Sequence, residues 1–261
     1  MGLRRLMAGA AVFFLPAAAP ASGHAGFLYP VLDDANGSGE VILEASFSDV
    51  FPVAEIELKS DRWAIIGPDG KSQDFDAIAN TDSRTVLQAK LGGQGTYRFT
   101  SGERLGRTGE MARIDGDYVR IGSGGVPRED LPDRAEILSS QTATVSEIYL
   151  RRGADGAFPV LPVGRLAIIP QSDPTRLEPG DALTSLITFD GEAMANQPVT
   201  VLTPGGGAEG MALATDGAGM IAVPVSSEDG ALVIVRHIAA APAGADTAVR
   251  SYTTTLSVRA G

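Results

Sequence analysis

The apolar residues of this chain avoid the spacing that makes a helix, and that avoidance constrains the fold more than any other feature. After residue 23, no window of a dozen residues repeats them at the period of about 3.6 that buries one helix face. Short β-rich runs appear instead, each stopped by glycine, proline or aspartate. Trp63-Ala64-Ile65-Ile66 meets Gly67-Pro68-Asp69-Gly70, where proline presets φ and glycine admits a positive one. Runs at 40–47, 85–91 and 96–100 end in the same way. A later series at 165–169, 183–189, 197–202, 211–215, 220–225, 231–238 and 252–258 has the density of a β-sandwich. The pattern predicts an all-β chain of two β-sandwich domains. The first spans 24–170, with a long Gly-, Arg- and Asp-rich loop at 102–135. The second, immunoglobulin-like or transthyretin-like, spans 171–261.

Residues 1–23 read differently. Arg4 and Arg5 precede an apolar run from Met7 to Leu15, and small residues and prolines follow. That order predicts a secretory signal peptide, too short for a membrane span of about 20 residues. No other stretch is apolar enough to cross a bilayer, so the processed chain is expected not to span a membrane. Cysteine is absent. An exported chain without disulfides must rely on its core for stability, and thiolate chemistry is ruled out. The formal net charge of −11 argues against nucleic acid and anionic lipid as partners.

Several short motifs, in order along the chain, point to a family. His24-Ala25-Gly26-Phe27-Leu28-Tyr29-Pro30 opens the expected mature chain. Phe47-Ser48-Asp49-Val50-Phe51, Pro68-Asp69-Gly70 and Gly95-Thr96-Tyr97-Arg98 follow. Glu178-Pro179-Gly180-Asp181, Asp190-Gly191, Pro198-Val199-Thr200-Val201, Thr215-Asp216-Gly217-Ala218-Gly219 and Ser251-Tyr252-Thr253-Thr254-Thr255-Leu256 complete the series. Together they resemble an exported family of unknown function often described as a nickel- or cobalt-uptake accessory. The resemblance implies a periplasmic protein that binds a transition-metal ion or metal complex during nickel, cobalt or iron uptake. It also implies partners among inner-membrane transporters or outer-membrane receptors. Relatives often carry a further histidine just after the Asp49 segment, whereas Pro52-Val53-Ala54-Glu55 here contains none.

His24 is the leading candidate ligand, and its chemistry depends on the cut. Cleavage after Ala21 leaves Ser22-Gly23-His24, whose α-amine, two backbone amides and imidazole can form a square-planar set for Cu(II) or Ni(II). Cleavage after Gly23 leaves His24 as a two-toothed clamp that needs further ligands, and cleavage after Ala25 discards it. Asp49 and Glu55 flank Phe51-Pro52 in the segment where relatives are polar, and can add oxygen ligands. Alternation in Leu232-Val233-Ile234-Val235-Arg236-His237-Ile238 places His237 with Val233 and Val235, as either a half-buried strand residue or a partner ligand for His24. Asp115-Gly116-Asp117 matches a β-turn better than a calcium loop.

Enzymatic signatures are missing: there is no Gly-x-Ser-x-Gly, no His-Glu-x-x-His and no phosphate-cradling glycine loop. The sequence therefore favours a binding protein. Its rival is a β-sandwich interaction module that docks on membrane uptake components and takes no metal.

Overall fold

The structure, a computed structural model, describes residues 23–122, 125–154, 156–226, 228 and 230–260. Apart from Gly23, the expected signal segment lies outside the described residues.

The chain before residue 121 forms β1 (Ala25–Asp34), β2 (Glu40–Ser48), β3 (Ile56–Glu57), β4 (Ala64–Ile66), β5 (Ser72–Gln73), β6 (Ala77–Asn80), β7 (Thr85–Lys90), β8 (Gly95–Thr100), β9 (Arg104–Ile114) and β10 (Asp117–Arg120). The long β11 (Glu136–Arg152) comes next. After it lie β12 (Leu166–Pro170), β13 (Ala182–Phe189), β14 (Glu192–Ala193), β15 (Pro198–Leu202), β16 (Met211–Ala214), β17 (Met220–Pro224), β18 (Ala231–Ala240) and β19 (Val249–Val258). Two 3₁₀ turns, Arg128–Asp130 and Pro174–Arg176, supply the helical content of the described residues. The all-β sandwich character predicted from the sequence is present.

The strands form three sheets. β1-β2-β7-β6, with β3 on β2, make one; β12-β13-β14, with β17 on β13, make another. Between them runs a ten-stranded sheet in the order β16-β15-β18-β19-β11-β8-β4-β5, with the β9–β10 hairpin on β11. This large sheet joins the chain's two halves, because β11 lies parallel to β19 from Ser140 opposite Val249 to Ile148 opposite Ser257.

Successive side chains of a strand point to opposite faces, and β11 uses both. Ile148 and Leu150 pack with Leu28, Leu43 and Leu87 of the first small sheet. Ala143 and Tyr149 pack with Ile168, Leu183 and Ile187 of the other. A third cluster docks Ala25, Phe27 and Phe51 on Leu232 and Ile234. Each fully buried side chain of this size contributes about 1.5–3 kcal/mol, and this burial is what stabilises a chain without cysteine.

Residues 102–135 depart from the expected long connection. Half of their length is the β9–β10 hairpin, which turns at Asp115 and Gly116 with φ of 53° and 99°. Both values are positive, as a tight two-residue hairpin turn requires. Asp115 is paired with Arg134 at 2.8 Å, in keeping with the turn reading of this motif. The hairpin escaped prediction because Met111 and Ala112 are its buried apolar residues, too few to show alternation.

Candidate functional site

The segment carrying His24 is fastened on both sides. The Gly23 carbonyl accepts a hydrogen bond from Arg236 Nη2 at 2.8 Å, and the Gly26 carbonyl accepts one from Thr255 Oγ1 at 2.6 Å. Ala25 and Phe27 are buried. Gly26 has to be a glycine, since a Cβ there would lie 2.5 Å from Ser146 Oγ and 2.8 Å from Leu58 Cδ1. His24 itself remains at the surface.

Pairing of Ala25 with Ser48 brings the turn after β2 alongside His24. Phe51 anchors that turn: it is buried and meets Phe27 and Tyr29 edge-on, with ring centroids 5.6 and 5.7 Å away. The Glu55 amide donates to Ser46 Oγ at 3.1 Å and closes the turn. As a result Asp49 Oδ1 lies 3.6 Å from His24 Nδ1, and Glu55 Oε2 lies 3.2 Å from His24 Nε2. Three of the four candidate ligands selected from the sequence thus come together.

Their arrangement limits the chemistry. Each ring nitrogen faces its own carboxylate, and the two nitrogens point away from each other. As it stands each carboxylate lies beside one nitrogen of the ring. A metal ion would take one nitrogen with one carboxylate and draw further donors from elsewhere. Among the described residues, no group of three or more His, Asp or Glu side chains is arranged to hold a metal ion.

Of the two readings of His237, the geometry fits the half-buried strand residue and not the partner ligand for His24. His237 shares a strand face with Val233 and Val235, and its ring packs on Phe189 with centroids 4.6 Å apart. Arg236, one residue earlier, points to the other face and reaches Gly23. The large sheet therefore lies between the two histidines. Burial, and after it the nearby Arg165 charge, hold the His237 imidazole below its ordinary pKa, partly opposed by Asp190.

Sequence reading missed the cavity beside His24. It has a volume of about 380 Å³, and its lining includes Arg104, Arg107, Arg120 and Arg236. The register aligns Arg104 of β9 with Thr144, Thr144 with Thr253, and Thr253 with Arg236 of β18, one row across four strands. Arg120 Nη2 lies 3.3 Å from Ser251 Oγ, and the Arg104 guanidinium sits over the Phe47 ring at 5.3 Å. No short motif joins these arginines, so only their alternation within strands hinted at a shared face.

Residues 21–237 match the family described as Domain of unknown function (DUF4198). No curated protein and no solved structure matches the chain.

Proposed function

The chain belongs to the DUF4198 family, and from that premise we propose that it is an exported accessory of transition-metal uptake. In this reading the protein works in the periplasm once its signal peptide has been cut. It captures a nickel, cobalt, copper or iron ion, or a complex of one, at His24. It then hands the metal to an inner-membrane transporter or an outer-membrane receptor component. Its role is binding, not catalysis.

The observation that carries the reading is the placement of His24 between Asp49 and Glu55, at the edge of a cavity. One imidazole with carboxylate oxygens suits a borderline divalent ion held loosely enough to be released. The fastening of Gly23 and Gly26 supports it further, because it presents His24 in a fixed position while leaving the ring accessible. Nothing in this arrangement supplies a rigid four-ligand cage, which fits a carrier better than a storage site.

Calorimetric titration of the exported, processed protein with Ni(II), Co(II), Cu(II) and Fe(II) tests the reading. Saturable binding that is lost in His24→Ala supports it. If correctly processed protein binds none of these ions, the interaction-module reading takes its place.

A further inference from the structure

We propose that the cavity beside His24 is a binding site for a small organic anion with two or more carboxylates, and that it takes this anion without help from a metal. The site rests on four arginines that take no part in the metal cluster, although His24 also lines the cavity, so it goes beyond the metal reading and can fail independently of it.

The first observation is a local reversal of charge. The protein as a whole is acidic, with 32 Asp and Glu against 21 Lys and Arg. Nine of the twelve other arginines among the described residues have a carboxylate within 4.0 Å. Among the described residues, none of Arg104, Arg107, Arg120 and Arg236 has one, although they line a single cavity. Glu57 is the carboxylate of the lining, and Lys59 Nζ engages it at 2.9 Å.

Clustering cations in a partly buried space is unfavourable unless a counter-charge enters. The strain is visible at two of the four. Burial, and next the neighbouring Arg120, lower the proton affinity of Arg236, with Asp49 opposing weakly. Burial lowers that of Arg104, with Asp61 opposing. An anion in the cavity would supply what the fold withholds. Guanidinium groups are also the side chains that hold carboxylates through paired hydrogen bonds.

Shape selects the kind of anion. Arg104 and Arg236 end a row whose middle members are Thr144 and Thr253. With strands about 4.8 Å apart, the two arginine backbones stand about 14 Å apart. Arg104 stacks on Phe47 and Arg236 donates to the Gly23 carbonyl, and Thr142, Thr144 and Thr253 line the cavity with hydroxyls that can donate to ligand oxygens. The cavity, about 380 Å³ and lined by four arginines, has room for a ligand several atoms long that is charged at more than one point; a single phosphate would leave most of it unfilled. Phe47 and Ile56 add apolar wall for its carbon skeleton. Gly106 keeps the floor open, since a Cβ there would lie 2.4 Å from Thr142 Oγ1.

The test is calorimetric titration of the processed protein in buffer passed over a chelating resin. Citrate, inorganic phosphate and nickel citrate are the probes. Metal-free citrate is expected to bind saturably and more weakly as salt rises. Arg107→Met and Arg120→Met should each weaken it roughly tenfold, as loss of a charge-assisted contact does. Neither arginine has an ion-pair partner among the described residues, and thermal melts would verify that both variants fold. Asp49→Asn, at a residue outside the cavity lining, should keep citrate binding while weakening Ni(II), which separates the two readings. The proposal is overturned if metal-free citrate does not bind, if phosphate binds as tightly, or if both arginine variants bind citrate like the wild type. Binding of nickel citrate alone would also overturn it, by assigning the cavity to the metal complex.

Discussion

Arg104 and Arg236 stand at opposite ends of one cross-strand row, with Thr144 and Thr253 between them. One arginine comes from the hairpin after β8 and the other from the penultimate strand. Parallel pairing of β11 with β19 brings them into that one row. The cavity beside His24 therefore exists only when both halves of the chain have assembled, and site and core stability are linked.

The aromatic anchor of the Asp49–Glu55 turn is a first place to test that link. Phe51→Ala removes a buried ring from contact with Phe27 and Tyr29. Loss of a buried phenyl group costs about 3–5 kcal/mol. Urea unfolding should show a drop of that order, and Ni(II) affinity should fall with it because Asp49 and Glu55 lose their fixed positions. Phe51→Leu should recover a large part of both.

A buried ion pair offers a second test. Arg98 and Glu147, each 1% exposed, pair on the face that also carries Tyr149, and the Leu161 carbonyl accepts a further bond from Arg98. Glu147→Ala leaves the guanidinium without its counter-charge, which costs about 3–5 kcal/mol. The double variant Arg98→Met, Glu147→Leu should regain most of the loss, since an apolar pair of similar volume removes the desolvation cost. Denaturant melts of the three proteins give the comparison. A Glu147→Ala variant as stable as the wild type would contradict it.

His237 predicts a pH dependence of stability. Its folded pKa lies below the ordinary 6.5, chiefly through burial. The unfolded chain therefore takes up this proton first as pH falls. The associated stability is present above 6.5 and is lost as pH drops through the folded value. Melting temperatures measured from pH 8 downward should decline through that window. His237→Phe, which keeps a ring against Phe189, should flatten the decline.

How much of this was legible in the sequence varied with the physics involved. Turn residues such as Gly67-Pro68-Asp69-Gly70 and Asp190-Gly191 marked strand ends because few other residues fit there. The face of His237 followed from alternation alone. His24, Asp49 and Glu55 were found through a family resemblance, and the pairing of β1 with β2 brings them together. The β9–β10 hairpin was hidden because its polar side chains face solvent and a cavity, leaving no apolar rhythm. The arginine row was hidden for a different reason. Its members lie on strands far apart in the chain, and nothing local in Arg104 or Arg236 encodes the parallel pairing that aligns them.

The central claim, that metal is captured at His24, is tested most directly by locating the ion. Titrating Co(II) into ¹⁵N-labelled processed protein would map it through paramagnetic broadening of amide signals. The account predicts broadening strongest at His24, Asp49 and Glu55 and falling off with distance from them. Broadening centred elsewhere, or none at saturating Co(II), would contradict it.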